Sequence, residues 1–243
     1  MTSFLGDLKE KFVLDFIQEQ RWKFITSGLR VTATVTILAL ILGLIIGIVV
    51  AVVRTSHDQI GQKNMHGLQK FFLDIADAVC RIYLTVIRGT PSLVQLLLIY
   101  FVFMANSTNK VMVAVISFGV NSGAYVAEIF RSGIMSIDVG QTEAGRSLGL
   151  GYTKTMQKIV LPQAFKNVLP ALVNEMITLL KETSICGYIG LNELTRGGDI
   201  IRGTTFDALL PLLVVAAIYL IIVMFFTWIM GKLERRLRES DQR

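Results

Sequence analysis

The sequence contains few residues of the kinds that carry out covalent or metal chemistry. It has two cysteines, Cys80 and Cys186, and two histidines, His57 and His66, among 243 residues. The cysteines lack metal-ligand spacing and are predicted to be small packing residues. The histidines are too far apart to share one helical face and are interpreted as solvated loop residues. Neither histidine lies beside a plausible nucleophile, so the sequence predicts no metal site, no cofactor and no catalytic residue.

The sequence also lacks a nucleotide-binding loop. Its closest glycine-rich stretch, residues 149–155, has no glycine before its lysine and follows no predicted strand. Any nucleotide must therefore be hydrolysed by a separate protein, and this chain is predicted not to be an enzyme. Nucleic acid is not an expected partner, because the 24 Lys and Arg residues cluster at the ends of apolar blocks without interleaved aromatic residues.

Long apolar blocks are what the sequence does contain. Hydrophobic residues make up 53% of the chain, charged residues make up 17%, and the mean hydropathy is +0.59. These values indicate an integral membrane protein, and the lengths of the blocks favour an all-α one. About thirty mostly polar residues precede the first block, so no cleavable signal peptide is expected and the first span itself directs insertion.

Five transmembrane helices are predicted within a domain that covers residues 25–232. Their predicted bounds are 29–53, 80–104, 111–133, 168–190 and 208–231. Residues 1–24 carry apolar side chains at roughly helical spacing among charges, which favours an interfacial amphipathic segment over the alternative of a flexible tail. Residues 233–243 form a charged tail.

Polar side chains interrupt two of the predicted spans. In the third span, Asn121, Tyr125 and Glu128 align on one helical side. The fourth span carries a denser set: Asn174, Glu175, Thr178, Lys181 and Glu182. A polar stripe in a membrane helix faces protein or water rather than lipid. The fourth span is therefore expected to lie centrally and to line a solute pathway.

Glu175 is the strongest candidate for binding the ammonium group of a zwitterionic solute. A lone carboxylate inside a span is costly unless something pairs with it. Three neutral side chains can add hydrogen bonds without holding the solute too tightly: Asn121, Ser122 and Thr178. The alternative is that Glu175 pairs with Lys181 or Arg88 and only stabilises the helix bundle.

A polar segment over residues 136–162 separates the third and fourth spans. Its characteristic residues are Glu143, Ala144, Gly145, Gly149, Leu161 and Pro162. Gly149 allows a turn after a short predicted helix, and Pro162 suits the first turn of the next helix. This pattern resembles the EAA loop of ABC-importer permeases, with Gly145 in place of the usual second alanine. The alternative is an ordinary amphipathic loop helix.

Three further motifs are similar to polar amino-acid permeases of the histidine, arginine and glutamine type. They are Arg88-Gly89-Thr90-Pro91, residues 121–131 and Leu180-Lys181-Glu182-Thr183-Ser184. The resemblance implies a type I ABC importer (MetI-like) fold with five transmembrane helices and a cytosolic coupling helix, in a bacterial cell membrane. The partners it implies are two ATPase subunits, a second permease subunit (an identical copy or a close paralogue), an extracytoplasmic amino-acid-binding protein and membrane lipid.

The sequence suggests three groups of functional residues. By resemblance, the ATPase-coupling group is Glu143, Ala144, Gly149, Leu161 and Pro162. The substrate-binding group is Glu175, Asn121, Ser122, Thr178 and Tyr125. The pore or gate group is Arg88, Pro91, Gln95 and Lys181. Pro91 kinks its helix, which suits either a gate or simple bending for packing.

The basic residues predict an outer N-terminus and a cytosolic C-terminus, which puts residues 136–162 in the cytosol. The predicted function is the permease subunit of an ATP-driven importer for a polar amino acid. One alternative is an ion-coupled secondary amino-acid transporter, but such proteins usually show internal repeats and need no docking loop. Another is a non-transporting membrane scaffold, which would not explain the polar interruptions in the third and fourth spans.

Overall fold

The computed structural model describes residues 2–58 and 67–241, and that part of the chain contains helices and no strand. Its α-helices are α1 Thr2–Phe12, α2 Trp22–Ser56, α3 Leu68–Gly89, α4 Ser92–Leu98, α5 Lys110–Met135, α6 Val139–Ser147, α7 Tyr152–Thr155, α8 Leu161–Glu182, α9 Leu194–Thr205 and α10 Leu209–Asp241. Single π-helical turns follow α1, α4 and α7, over Val13–Ile17, Ile99–Phe103 and Met156–Val160. A 3-10 helix, Thr183–Ile189, extends α8. His66 lies outside the described residues.

The centre of the fold is the contact between α2 and α5. Each helix contributes two glycines to it: Gly43 and Gly47 from α2, and Gly119 and Gly123 from α5. A methyl group added at Gly43 would lie 3.0 Å from Cβ of Ser122. One added at Gly119 would lie 2.6 Å from Cδ2 of Leu42. Glycines on both helices therefore let the two backbones approach closely, as small residues do in membrane helix pairs.

The predicted segment 80–104 lies across two helices. α3 and α4 meet at an angle of 109°, and Thr90 between them has an extended backbone, with φ −122° and ψ 148°. Pro91 explains this, because a proline ring disfavours helical backbone at the preceding residue. Gln95 Nε2 donates to the carbonyl oxygens of Ile87 (2.8 Å) and Thr90 (3.1 Å). The side-chain amide of Gln95 thereby donates hydrogen bonds to two carbonyl groups that would lack a donor at the break between α3 and α4.

α3 begins at Leu68, well before residue 80, and its one buried residue, Asp77, faces the bundle. Asp77 is 3% exposed and accepts hydrogen bonds from Nη1 of Arg54 (2.9 Å) and Nε of Arg81 (2.6 Å). Nε2 of His57 lies 3.2 Å from Oδ1 of Asp74. His57 is therefore part of a charged cluster that joins α2 to α3, and not the solvated loop residue that its spacing predicts. The outer face of α3 is apolar and exposed: Leu68, Phe72, Ile75, Val79, Ile82 and Val86.

Three helices of the described part are long and apolar enough to cross a membrane: α2, α5 and α10. The bent pair α3 and α4 would make a fourth if it counts as one span. α8 contains most of the predicted segment 168–190 and does not belong to this set. It packs instead against three neighbours, α2, α5 and α10, which can shield its polar residues from lipid. The total of five spans stays a prediction.

The N-terminal segment packs on the bundle through residues 13–21. Glu19 and Gln20 have positive φ angles of 52° and 56°, so the helical run ends before α2 begins. Phe16 is 5% exposed and belongs to an apolar cluster with Ile25 and Leu194. The segment is thus held against α2 and α9 by buried apolar surface.

One fully buried and one partly buried carboxyl group lie where this segment meets the connection between α9 and α10. Asp15 is fully buried, and neither its oxygens nor Oδ2 of Asp207 accept a hydrogen bond within the described residues. Burial raises the pKa of Asp15 above its ordinary value. The negative charge of Asp207 acts in the same direction. Three neighbours lower the pKa without outweighing burial: the hydroxyl of Thr205, which lies near Asp15 but donates its hydrogen bond to the carbonyl oxygen of Ile201 (3.0 Å), and the positive charges of Arg21 and Lys11.

Replacing Asp15 with asparagine is expected to stabilise the protein at neutral pH. Because the pKa of Asp15 is raised in the folded state, its ionised form opposes folding at neutral pH, and this penalty disappears as the pH falls toward the ordinary value of 3.8. An unsatisfied buried polar group typically costs about 1–3 kcal/mol. The thermal midpoint of the purified full-length variant should therefore exceed that of the wild type at about pH 7.5, with a smaller difference near pH 4.

Asp7→Asn is the matched control, since Asp7 is exposed and its one ion contact among the described residues, to Lys11, is 4.0 Å long. That variant should unfold at the wild-type temperature at both pH values. A lower midpoint for Asp15→Asn at neutral pH, or a difference that does not depend on pH, would contradict the role assigned to the buried charge.

Candidate functional site

The polar segment between α5 and α8 is built around helix α6. Asp138 caps its N-terminus, because Oδ1 accepts a hydrogen bond from the backbone N–H of Gly140 (2.6 Å). The helix ends before Gly149, which has φ +78°. The N–H of Leu150 donates to the carbonyl oxygen of Gly145 (3.1 Å). Glycine suits the left-handed position, and this bond is typical of a helix C-cap.

Gly145 holds α6 against the turn that follows it. It is buried, and a methyl group there would lie 2.8 Å from Cγ2 of Thr155 and 3.0 Å from Cδ1 of Ile159. A glycine in place of the usual alanine therefore allows a close helix contact. Nδ2 of Asn167 also donates to Oγ of Ser136 (2.9 Å), which ties the start of the segment to α8. The segment is thus tied to α8 at its start and packs against the turns before α8 through Gly145.

The outer surface of α6 carries part of the predicted ATPase-coupling group. Glu143, Ala144 and Gly149 are all exposed. Val139 and Leu148 lie beside them with 70% and 80% of their surfaces exposed. Large exposed apolar side chains around a charged one are typical of a surface that binds another protein.

Leu161 and Pro162 of the same predicted group lie in the first turn of α8. Both are exposed. Pro162 lacks an N–H, and it occupies a position in the first turn where that group would have no helical partner. The predicted coupling group is therefore divided between α6 with its C-cap and the start of α8.

Glu175 pairs with a hydroxyl group in the structure. Oγ of Ser122 on α5 donates to Oε1 of Glu175 on α8 (2.7 Å). Ser122 is fully buried and Glu175 is half-buried. Among the side chains that the structure describes, Glu175 forms no ion pair with Lys181 or with Arg88. These two residues are its partners in the alternative interpretation, and Arg88 lies beside Glu128 instead. The contact leaves the carboxylate oxygens of Glu175 with unused acceptor capacity.

Asn121 faces a different neighbour from Ser122, because consecutive residues point about 100° apart on a helix. Its Nδ2 donates to Oε1 of Gln95 on α4 (2.8 Å), and Asn121 is 4% exposed. Gln95 in turn donates to Oγ1 of Thr90 at the helix break (2.8 Å). Asn121 therefore positions α4 on α5, and the structure does not bring it together with Glu175 as a second solute-binding group.

Arg88, Tyr125 and Glu128 form a group of their own at the end of α3. The guanidinium of Arg88 lies over the ring of Tyr125, 5.7 Å from its centroid. Nη1 of Arg88 is 3.6 Å from Oε2 of Glu128, and Nη1 of Arg131 is 3.5 Å from Oε1 of the same residue. Tyr125, predicted to bind substrate, thus contacts a predicted gate residue instead of the Ser122–Glu175 pair.

α8 exposes a polar strip next to Glu175. Asn174, Thr178 and Lys181 are all exposed and lie four and three positions apart, so they share one helical face. Oγ1 of Thr178 donates to the carbonyl oxygen of Asn174 (3.0 Å) and keeps its acceptor capacity. This face therefore carries an amide, a hydroxyl and an ammonium group, and the half-buried carboxylate of Glu175 lies beside them.

Two residues with structural roles in this region have no signal in the sequence. The hydroxyl of Tyr83 on α3 donates to the carbonyl oxygen of Val120 in the middle of α5 (2.6 Å). Glu193 is 1% exposed and caps α9, accepting hydrogen bonds from the N–H groups of Thr195 and Arg196 (both 2.7 Å). Burial raises the pKa of Glu193, and these two N–H groups oppose the increase.

The described residues contain no cluster of three or more His, Cys, Asp or Glu side chains that could hold a metal ion. The polar groups at Glu175 are instead suited to reversible hydrogen bonding and ion pairing. Among the described residues, the groups around Glu175 include no nucleophile positioned by a base.

Comparison with known proteins identifies related chains. Residues 70–239 match the family described as binding-protein-dependent transport system inner membrane component. The arginine transport system permease protein ArtQ of Bacillus subtilis is 42% identical over 173 residues, which cover 70% of this chain and 77% of that protein. The L-cystine transport system permease protein TcyB of Bacillus subtilis is 36% identical over 226 residues, which cover 92% of this chain and 90% of that protein.

The fold is also found in a solved structure. A crystal structure of an amino acid ABC transporter with histidines superposes with a TM-score of 0.79 at 38% identity, covering 91% of this chain and 98% of that chain. The all-α architecture is thus the MetI-like fold of type I ABC importers. Since the family match covers well over half of the sequence, this chain belongs to the family of inner membrane components of binding-protein-dependent transport systems.

Proposed function

We propose that this chain is the membrane-spanning permease subunit of an ATP-driven importer for a polar amino acid. The observation that carries the proposal is the connection between two surfaces. The exposed, capped helix α6 packs through Gly145 on the turn before α8, and α8 carries Glu175. A partner that moves α6 would therefore also move the helix that bears the polar strip.

The partners follow from this arrangement and from the family. A separate ATPase, present in two copies, binds α6 and the start of α8 and supplies the ATP hydrolysis. A second permease subunit, identical or closely related, covers the exposed polar strip of α8. An extracytoplasmic binding protein delivers the amino acid. The assembly lies in a bacterial cell membrane, with the N-terminus of this chain outside and its C-terminus in the cytosol, so that α6 faces the ATPase.

Glu175 binds the ammonium group of the solute, with Ser122 orienting its carboxylate. Thr178 adds a hydrogen bond from the same helix. Two relatives are named for arginine and for L-cystine, which have the zwitterionic backbone in common and differ in their side chains. The shared chemistry supports recognition of the amino acid backbone at Glu175 and leaves the side-chain preference open.

The break between α3 and α4 is the proposed gate. Pro91 prevents a continuous helix, and Gln95 connects the break to Asn121 on α5. Arg88 is held at the end of α3 by Glu128 through an exposed contact of 3.6 Å. Such an exposed ion pair contributes little energy, so Arg88 can exchange Glu128 for another partner. Lys181 lies on the exposed strip of α8, where it can meet the carboxylate of a passing amino acid.

Reconstituted uptake tests the proposal against an ion-coupled transporter. The full-length chain is incorporated into liposomes together with its ATPase, and the binding protein loaded with a labelled amino acid is added outside. Uptake is expected to require ATP and the ATPase, and to continue when ionophores abolish proton and sodium gradients. Uptake by this chain without the ATPase, driven by an imposed ion gradient, would overturn the proposal.

A further inference from the structure

The last helix, α10, has a surface that no other part of the described chain covers. Its apolar window has a mean hydropathy of 3.0, yet only 11% of that window is buried within the chain. The apolar run ends at Gly231, and Lys232, Arg235 and Arg236 follow directly. This end of α10 therefore lies at the boundary between hydrocarbon and water, where aromatic and basic side chains meet lipid headgroups.

A shallow, open groove runs along one face of α10 across this boundary, and every described residue that lines it belongs to this one helix. Its lining residues are Val223, Met224, Thr227, Trp228, Gly231, Lys232 and Arg235. Gly231 opens the groove, since a methyl group added there would meet no atom within 4 Å. Trp228, which is 59% exposed, and Arg235 lie on either side of the glycine along the helix. The groove thus has an apolar end within the membrane and a cationic end outside the hydrocarbon.

The cationic end is held in place by an aromatic contact. Nζ of Lys232 lies 3.8 Å from the centroid of the Trp228 ring, within the range of a cation–π interaction. Arg235 adds a planar guanidinium, which binds phosphate oxygens in a bidentate manner. Glu234 is not among the residues that line the groove. Among the described residues that line the groove, both charged side chains are therefore positive.

We propose that this groove binds an anionic phospholipid, with the phosphate between Lys232 and Arg235 and the acyl chain along Trp228 and Met224. The ligand must be both anionic and amphiphilic, because two cations are continuous with an apolar surface. A second copy of this chain does not fit, since a two-fold contact through this surface would bring the same cations together. The proposal requires only that α10 crosses the bilayer and does not depend on the transported solute.

Quenching of Trp228 fluorescence tests the site directly. The chain has two tryptophans, Trp22 and Trp228, so the full-length Trp22→Phe variant leaves Trp228 as the only indole. The protein is reconstituted in bilayers that contain brominated phosphatidylglycerol or, at the same mole fraction, brominated phosphatidylcholine. Brominated phosphatidylglycerol is expected to quench Trp228 more strongly. Each cation in the groove should enrich the anionic lipid next to the indole about fivefold.

Three substitutions separate a built site from general attraction to a basic surface. Arg235→Gln removes a cation inside the groove, and Arg236→Gln removes one from its exposed neighbour outside it. Gly231→Leu fills the groove and leaves every charge in place. Arg235→Gln and Gly231→Leu should each abolish most of the excess quenching, whereas Arg236→Gln should preserve it.

Three results would overturn the proposal. Equal quenching by the two brominated lipids would show that no anionic lipid is selected. Equal losses for Arg235→Gln and Arg236→Gln, with none for Gly231→Leu, would show general electrostatic attraction. Displacement of the excess quenching by inorganic phosphate would show a site for a soluble anion. None of these measurements involves transport, so they fail or succeed separately from the proposed importer function.

Discussion

Replacing Glu143 with alanine is expected to lower ATP-driven uptake at least about tenfold while the protein still inserts and assembles. Glu143 is exposed on α6, so its removal leaves the internal packing of this chain unchanged. An ion pair that becomes buried between subunits typically costs about 2–5 kcal/mol when one partner is truncated, which is more than enough for a tenfold effect. Uptake into liposomes and stimulation of ATP hydrolysis by the loaded binding protein are the two measurements.

Gln141→Ala is the control for this experiment, because Gln141 is an exposed neighbour on α6 and its contact to Gln163 is long, at 3.5 Å. It should transport at nearly the wild-type rate. Gly149→Val is a second test of the same surface, since a β-branched residue is strained at φ +78°. Full uptake by both Glu143→Ala and Gly149→Val would exclude α6 as the surface that binds the ATPase.

Replacing Glu175 with glutamine is expected to reduce uptake about a hundredfold with normal assembly. The substitution keeps the shape of the side chain and the acceptor for Ser122, whose hydroxyl donates to Oε1 at 2.7 Å. It removes the only charge that this pair could offer to an ammonium group. Loss of a charge-assisted contact of about 2–3 kcal/mol corresponds to this change. Uptake of the labelled amino acid is measured with the ATPase and binding protein present.

Ser122→Ala separates charge from positioning in this site. It removes one hydrogen bond and leaves the carboxylate of Glu175, so uptake should fall only several-fold. Basal ATP hydrolysis and the yield of assembled complex should match the wild type in both variants. Undiminished transport by an assembled Glu175→Gln variant would remove Glu175 from the solute pathway and favour a purely structural role for its contact with Ser122.

The sequence was most informative where local chemistry determines the conformation. Gly149 sits at a left-handed C-cap and Pro91 at a helix break, and each is a position where few other residues fit. The exposed α6 follows for the same reason, since its cap residues and the absence of a long apolar run can be recognised locally. These features could be predicted because they depend on neighbours in the sequence.

Features that depend on contacts between distant helices could not be predicted. A helical stripe suggested that Asn121 and Tyr125 face the solute together, yet Asn121 bonds to Gln95 and Tyr125 contacts Arg88. A stripe shows which side of a helix is polar and does not show which neighbour each side chain meets. The ion pair between Asp77 and Arg54 could not be predicted for a related reason, because it forms only after α2 and α3 have packed.

The π-helical turn Met156–Val160 between α7 and α8 influences how α6 is oriented relative to α8. Such a turn contains one residue more than an α-helical turn, and one residue corresponds to a rotation of about 100° around the helix axis. The direction in which α6 is presented relative to the polar face of α8 therefore depends on this one turn, and removing a residue from it would rotate one surface against the other.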